Sequence, residues 1–389
     1  MPPIGAGEEY APPEAVQKLN MARKLQSDKW LFLATLALIC ASVVMVYSAS
    51  ALVALERFQQ PYLFVTRQTM WAVVGIAVLS IVMRVDYRSY RNDRMIWLLV
   101  GVVGVMLVAV LFSRPINGTR RWFGVGGFGI QPSELAKLAA IMFTALMLER
   151  RRHRINELGY SLLPIGLIVG ALVALILLEP DFGTAVSLLA VISVMIFAAG
   201  ISYRYLLGAA LLALPALYVI VMQADYRRRR LLTFMDPWAD PLGDGFQIIQ
   251  SLIAVGTGGV FGKGLMQGVQ KLFYLPEPHT DFIFAVISEE TGLIGATVIV
   301  LCFCVIAWRG LRTAMRAPDS FGAFLALGLT MMLVLQALFN ISVVLGLVPT
   351  KGIPLPLVSN GGSSMLINLL AVGVLLNISQ HAHVETGAA

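Results

Sequence analysis

The chain has 389 residues, of which 58% are hydrophobic and only 13% are charged, and its mean hydropathy is +0.79. Because soluble domains carry about 25% charged residues, this composition excludes an ordinary soluble fold and indicates a polytopic membrane protein. The net charge of +7 comes without a soluble basic domain or an aromatic–basic recognition motif, so we expect no nucleic-acid partner.

The N-terminal residues 1–29 are polar and contain four prolines. They lack the early apolar core of a cleavable signal peptide, so we expect a loosely ordered cytoplasmic tail. Farther along, Cys40, Cys302 and Cys304 all fall inside apolar runs, so the sequence shows neither a disulfide framework nor a zinc site.

Ten apolar stretches follow the tail, each close to the roughly 20 residues that a membrane-spanning helix needs. They lie at 30–54, 62–83, 95–113, 133–149, 162–178, 183–200, 205–222, 282–308, 321–345 and 361–380. The sequence therefore predicts an all-α polytopic membrane protein. Its membrane domain covers residues 30–380 and is followed by a cytoplasmic C-terminal tail at 381–389.

The distribution of Lys and Arg predicts the orientation, because these residues accumulate in cytoplasmic loops. With the N-terminus inside, sixteen of them lie on the inner side and eleven on the outer side. Six of the eleven fall in the single long segment 223–280, so the bias of the short loops is stronger. We expect both termini to be cytoplasmic and 223–280 to be a large extracytoplasmic loop between the seventh and eighth spans.

The segment 223–280 is rich in turn signals and also contains the stretch "FQIIQSLIAVG". The apolar periodicity of this stretch predicts an amphipathic helix that lies in the membrane interface. The run Arg227–Arg230 is typical of a solvated face or a lipid-headgroup anchor, and it could also hold a diphosphate, which needs several donors at once.

Ionisable residues are scarce inside the predicted spans, where such groups are functional candidates because they face the bundle interior or a watery cavity. They are Arg67, Glu134, Lys137, Glu289 and Glu290. Glu134 and Lys137 are three residues apart and therefore neighbours on a helix. They could form a structural clamp between helices or bind a substrate, and the residues alone favour neither.

The stretch "LPEPHTDF", residues 275–282, places further ionisable groups just before the eighth span. Thr280 and Asp281 stand where side-chain oxygens cap a helix, so capping is one interpretation of Asp281 and catalysis is another. His279 is interpreted as an interfacial residue, since a lone histidine does not make a metal site.

Four longer motifs carry a resemblance: "NGTRRWFGVGGFGIQPSELAK", "EPDFGTA", "YLPEPHTDFIFAVISEETGLIG" and "GLVPTKGIPLPLVSNGGSS". In this order and at these spacings they resemble the SEDS family (shape, elongation, division and sporulation) of bacterial peptidoglycan glycosyltransferases. The resemblance covers residues 30 to 380. The lysine in "VPTKG" is more like the division branch, typified by FtsW, than the elongation branch, typified by RodA. Asn360 departs from the family, which commonly has an aromatic residue before the paired glycines.

The resemblance implies a ten-helix enzyme of the bacterial cytoplasmic (inner) membrane that polymerises lipid II at the outer face during cell division. Its essential carboxylate corresponds to Asp281, expected to act as general base while undecaprenyl diphosphate leaves and the anomeric configuration inverts. Substrate-binding roles are expected for eight residues: Arg67, Arg120, Trp122, Glu134, Lys137, Lys351, Ser359 and Ser363.

The resemblance also implies partners: a class B penicillin-binding protein transpeptidase (FtsI-like) and other membrane proteins of the division complex. We expect no resident metal site in the protein, and a divalent cation, Mg²⁺ or Mn²⁺, is the one candidate cofactor. Three alternatives stay open: the same activity in an elongation-type role like that of RodA, a lipid II flippase with Glu134 and Lys137 as its gate, and a scaffold for the penicillin-binding protein.

Overall fold

The computed structural model describes residues 27–113, 119–125, 128–223, 225–272 and 274–385. Most of the expected N-terminal tail therefore lies outside the described residues. The described chain forms twelve α-helices: α1 Lys29–Phe58, α2 Leu63–Val82, α3 Asp93–Val110, α4 Pro132–Arg151, α5 Leu163–Leu178, α6 Phe182–Ala198, α7 Tyr203–Met222, α8 Asp225–Met235, α9 Phe246–Gly258, α10 Ile283–Arg316, α11 Ser320–Val344 and α12 Gly362–Glu385.

One small antiparallel hairpin accompanies the helices. Its strands are β1 Phe123–Val125 and β2 Phe128–Ile130, with Phe123 opposite Ile130. Short 3₁₀ turns lie at Tyr87–Arg91, Arg152–Arg154 and Pro237–Ala239, and one π-helical turn, Leu158–Leu162, leads into α5. The predicted all-α membrane fold is confirmed.

Every predicted span is a helix, namely α1 to α7 and α10 to α12. Among the described residues, seven helices are long and apolar enough to cross a membrane: α1, α2, α3, α5 with its preceding turn, α10, α11 and α12. Helix α6, with 17 residues, is apolar but shorter. Helix α10 extends to Arg316, beyond the predicted end at 308, and α12 continues to Glu385 rather than ending at 380.

Helices α11 and α12 form the centre of the bundle. In their most apolar stretches, 67% of α11 and 83% of α12 are buried, against 22% for α2. Small residues allow close packing there, as is usual between membrane helices. A Cβ added to Gly328 of α11 would lie 2.6 Å from Ile141 of α4 and 2.7 Å from Met195 of α6. Three helices therefore meet at this glycine.

Helix α10 is broken at Gly292, whose φ of 66° and ψ of −164° are not helical. The break frees backbone groups, which residues 259–264 of the long segment satisfy. The amides of Lys263 and Gly264 donate to the carbonyls of Glu289 and Glu290, both at 3.0 Å, and Leu293 N donates to Gly259 O at 2.9 Å. Irregular backbone is tolerated inside a membrane only when it is satisfied in this way.

Two ion pairs, of which only Lys271–Glu290 is fully buried, hold the long segment against the same break. Lys263 Nζ lies 2.8 Å from Glu289 Oε1, and Lys271 Nζ lies 2.5 Å from Glu290 Oε1. Ser48 of α1 donates a hydrogen bond to Glu290 at 2.7 Å. Both lysines are among the six basic residues counted in the segment 223–280, and the Lys271 side chain is buried, with only 4% exposed. The loop returns into the bundle because these carboxylates need partners.

Helix α9 forms where the amphipathic stretch was predicted. It does not lie only on the interface, because Gly258 at its end packs directly on α10, where a Cβ would come within 2.0 Å of Ser288 O. Ser251 of α9 also donates to Val344 O of α11 at 2.8 Å. The long segment is therefore an integral part of the bundle.

We predict that Lys271→Met lowers the free energy of unfolding by about 3–5 kcal/mol, because it leaves the Glu290 carboxylate buried without its cation. The change is measured as the shift of the unfolding midpoint in detergent. Lys263→Met is the control and should cost less, because the Lys263 side chain is 32% exposed and water can replace it. Adding Glu290→Gln to Lys271→Met should restore part of the loss. An unchanged midpoint for Lys271→Met would contradict the prediction.

Candidate active site

Asp281 lies in the turn that joins the long segment to α10. Helix α10 begins at Ile283, its N-cap residue is Phe282, and no side chain makes a cap hydrogen bond there. The interpretation of Asp281 as a helix cap is therefore wrong, because α10 begins one residue later than that interpretation requires. The Asp281 side chain makes no hydrogen bond or ion pair with any other described residue.

Two segments of the chain are joined around Asp281. Asn340 Nδ2 of α11 donates to Asp281 O and to Ile353 O, both at 2.7 Å. Ser359 Oγ donates to Thr280 O at 2.6 Å, and the amide of Asn360 donates to His279 O at 2.9 Å. The motifs containing "PHTD" and "PTKGIPLPLVSN" therefore form one connected structure, although they are far apart in the sequence.

Gly352 allows the Asp281 carboxylate to lie directly against the loop that precedes α12. A Cβ added to Gly352 would come within 2.8 Å of Asp281 Oδ2. Any larger residue would therefore displace the carboxylate. This is a physical reason for glycine in "TKGIP" that the sequence alone does not reveal.

Burial and neighbouring carboxylates raise the pKa of Asp281. Burial has the largest effect, Glu277 and Asp181 add to it, and Arg121 and Arg230 oppose it, so that the pKa is raised to about 7. Desolvation and like charges both disfavour the ionised form. An aspartate that titrates near neutral pH can accept a proton from a substrate hydroxyl and later release it.

Three cationic side chains belong to the same site. Lys351 Nζ lies 4.3 Å from the centre of the Phe182 ring, and burial together with Arg230 lowers its pKa to about 8. Arg121 donates from Nε to Glu179 O at 2.9 Å and from Nη2 to Pro180 O at 2.5 Å. Arg230 of α8 donates to Thr350 O at 3.4 Å. Arg121 and Arg230 are close enough to lower the pKa of Asp281, and Lys351 adjoins Gly352, against which the Asp281 carboxylate lies.

The motif "EPDFG" supplies acidic groups beside these cations. Asp181 is buried and accepts hydrogen bonds from Thr184 at 2.8 Å and from Gln131 Nε2 at 3.0 Å. Glu179 is fully buried, and burial raises its pKa to about 8, with Asp181 adding to the shift and Arg121 opposing it. The Glu179 carboxyl is therefore mostly protonated at neutral pH.

Glu134 and Lys137 lie on α4 with side chains that are each 3% exposed and 3.0 Å apart. Lys137 Nζ also donates to Gln336 Oε1 at 2.6 Å, and Gln336 Nε2 donates to Pro354 O at 3.0 Å. The pair is thus connected to the loop that carries Lys351. Its contacts are those of a clamp, and its expected contact with substrate remains a prediction.

Ser359, Ser363 and Arg120, which were also expected to bind substrate, have different surroundings. Ser359 is bonded next to Asp281, and Ser363 accepts a hydrogen bond from the amide of Gln131 at 3.3 Å. Arg120 is exposed and donates to Leu111 O at 2.9 Å, whereas its neighbour Arg121 is the arginine at the site.

Two further expected substrate residues have different surroundings. Trp122 packs on Gly129 within the hairpin, and the half-buried Arg67 of α2 makes no hydrogen bond or ion pair to the rest of the described chain.

Sequence reasoning missed Arg121, Asp181 and Asn340. The first two lie inside quoted motifs, and Asn340 is a polar residue within an apolar span, which is a signal that a search for ionisable groups alone overlooks. Of the run Arg227–Arg230, the structure brings Arg230 to the site, while Arg229 lies 3.7 Å from Asp244. No group of three His, Cys, Asp or Glu side chains among the described residues could hold a metal ion.

Comparison with known proteins agrees with this arrangement. The FtsW/RodA/SpoVE cell cycle protein family matches residues 29–384. The chain belongs to this family. A relative named probable peptidoglycan glycosyltransferase FtsW, from Geobacter metallireducens, is 44% identical over 364 residues, which cover 93% of this chain and 97% of the relative. Stage V sporulation protein E of Bacillus subtilis is 44% identical over 365 residues, covering 92% and 99%.

Solved structures show the same fold. One chain, from a study of the structural coordination of polymerization and crosslinking by a peptidoglycan synthase complex, matches with a TM-score of 0.77 and 30% identity, covering 92% of this chain and 99% of its own. The rod shape determining protein RodA of Thermus thermophilus matches with a TM-score of 0.68 and 27% identity, covering 91% and 97%. The family, with its division and elongation branches, is therefore the one that the motifs indicated.

We predict a bell-shaped pH dependence of kcat/KM for the expected reaction with lipid II. Activity should rise with pH through about 7, because Asp281 must lose its proton to act as a base, and should fall through about 8, where Lys351 loses its charge. The measurement is initial rate against pH at low substrate concentration. Lys351→Arg should remove the alkaline fall, since a guanidinium stays charged. An alkaline limb unchanged in that variant would contradict the assignment.

Proposed function

We propose that the protein is a peptidoglycan glycosyltransferase that polymerises lipid II at the outer face of the bacterial cytoplasmic membrane during cell division. One observation carries the proposal: a half-buried carboxylate without a bonded partner among the described residues, Asp281, lies beside a group of cations. Membership of the family and the name of the FtsW relatives support it.

The residues fit a single displacement. The 4-hydroxyl of the acceptor sugar attacks the anomeric carbon of the donor, and its proton passes to the Asp281 carboxylate. The bond between the anomeric carbon and the diphosphate oxygen breaks, and undecaprenyl diphosphate leaves as an anion. The α-linked donor thereby gives a β-linked product. A general base of this kind typically contributes about 10²–10⁴-fold to the rate.

The leaving group needs cations rather than an acid. A diphosphate departs as a stable anion, so its developing charge must be stabilised, and Arg121, Arg230 and Lys351 are the side chains proposed to do this. Glycosidases use two carboxylates because their leaving group must be protonated, and this site does not require that arrangement. A divalent cation, Mg²⁺ or Mn²⁺, would bind through the diphosphate oxygens, which are ligands that both ions prefer.

The expected contacts of Arg67, Arg120, Trp122, Glu134, Lys137, Ser359 and Ser363 with substrate complete the proposal. A class B penicillin-binding protein of the FtsI type and other division-complex proteins are the proposed partners. The matching chain from a peptidoglycan synthase complex that couples polymerization to crosslinking supports the first of these.

A flippase is the second candidate, because the buried Glu134–Lys137 pair could act as a gate within the bundle. Purified protein in vesicles with labelled lipid II distinguishes the two functions. Polymer indicates the enzyme, and movement of lipid II to the other side of the membrane without polymer indicates a flippase. If neither is observed, the scaffold remains as the interpretation.

We predict that Asp281→Asn lowers polymerisation by at least about 10²-fold, because an amide cannot accept the hydroxyl proton. Lipid II binding should persist, since the cations remain. The matched control is Glu277→Gln, which removes the exposed carboxylate that lies closest along the chain and should lose much less activity. Normal polymer formation by the Asp281→Asn protein would contradict the assignment of Asp281 as the general base.

We predict the orientation from the same proposal. With the native cysteines replaced, Leu242→Cys should react with an impermeant thiol reagent added outside the cell, since Leu242 is 88% exposed in the long segment. Arg152→Cys, in the exposed turn at the other end of the bundle, should be protected until the membrane is opened. The reverse pattern would overturn the proposed topology.

A further inference from the structure

Asn340 is a buried amide that joins two parts of the site. It lies on α11, is 1% exposed, and its Nδ2 donates to Asp281 O and to Ile353 O, both at 2.7 Å. Both acceptors are carbonyl oxygens, so only the NH₂ group of the amide can occupy this place. The orientation of the side chain is therefore determined by its partners.

The Asp281 and Ile353 carbonyls belong to two segments that carry different proposed functional groups. Asp281 carries the proposed base, and Ile353 is two residues from Lys351, one of the proposed diphosphate cations. Between them, Gly352 packs so closely that a Cβ there would lie 2.8 Å from Asp281 Oδ2. The Asn340 amide thus joins the backbone of Asp281 directly to the loop that carries Lys351.

Gln336, one helical turn earlier, provides a natural comparison. It uses the same chemistry toward the same loop, donating to Pro354 O at 3.0 Å, and accepts a hydrogen bond from Lys137 at 2.6 Å. Neither of these contacts involves Asp281. Gln336 therefore anchors only the loop, whereas Asn340 anchors both the loop and the backbone of Asp281.

We propose that Asn340 is a positioning residue that fixes the distance between the Asp281 base and the Lys351 loop. The inference rests on the proposed glycosyltransferase function. Two carbonyl dipoles that converge on one point repel each other unless a donor lies between them. Without the amide the two segments would separate, and a misplacement of about 1 Å can cost about 10²-fold in rate.

The test uses Asn340→Leu, which is nearly isosteric but has no donor, and Asn340→Asp, which places a carboxyl at the two carbonyls. For Asn340→Leu we expect kcat to fall about 10- to 100-fold with KM for lipid II changed less than about threefold, because the diphosphate contacts remain. Wild-type kcat, or a rise in KM alone, would overturn the proposal.

Asn340→Asp gives a second readout that does not depend on turnover. The added carboxyl and Asp281 should titrate as a coupled pair, in which the ionisation of either group disfavours that of the other, so the Asp281 midpoint should rise. Labelling of Asp281 by dicyclohexylcarbodiimide, which reacts with protonated carboxyl groups, is followed against pH by mass spectrometry. We expect the midpoint to move to higher pH in this variant.

Gln336→Glu is the matched control for the labelling experiment. It adds the same charge one turn away, beside Lys137, and should leave the Asp281 midpoint nearly unchanged. Equal shifts in the two variants, or no shift in Asn340→Asp, would overturn the proposal even if Asn340→Leu does not fold. A wild-type protein without polymerase activity would refute the proposed function, and the labelling result would still decide the placement of Asn340.

Discussion

The break of α10 at Gly292 is the constraint on which the site depends. Inside a bilayer no water is available for the freed backbone groups, so another part of the chain must bond to them. Residues 259–264 do so, and this fixes the end of the long segment within the bundle. Residues 265–282 then lead from this anchor back to the start of α10, and Asp281 lies near the end of that stretch. The contacts that satisfy the break therefore fix one end of the segment that carries the proposed base.

The buried charges of the protein fall into two groups with different physical consequences. The pairs Lys271–Glu290 and Lys137–Glu134 are matched in charge and bonded further to Ser48 and Gln336. Such pairs rarely add net stability, but they specify which segments must lie together. Asp281 differs because it lies among charges without bonding to any described side chain. Burial, together with the neighbouring carboxylates Glu277 and Asp181, raises the pKa of Asp281, and a raised pKa suits a group that is proposed to take up a proton during turnover.

Much of the fold could be predicted from the sequence because membrane-spanning helices are recognisable by their length and apolar composition. All ten predicted spans are helices, whereas Asp281 was indicated as the base by the family resemblance and stays a prediction. The break at Gly292 could not be predicted, since glycine is common in membrane helices and only the approach of residues 259–264 makes a non-helical φ favourable here. Lys271 looked like a loop charge because its carboxylate partner lies 19 residues farther along the chain. The cap interpretation of Asp281 failed because helix boundaries shift by one or two residues without changing the sequence pattern.

In the proposed mechanism, one carboxylate activates the acceptor hydroxyl for direct displacement of the diphosphate. The stereochemistry of the new linkage tests this most directly. Purified protein is supplied with labelled lipid II, and the anomeric configuration of the first linkages formed is determined by magnetic resonance. A single displacement predicts inversion, so an α-linked donor gives only β-linkages. Retained α-linkages, which require a covalent glycosyl-enzyme intermediate or a second displacement, would contradict the account.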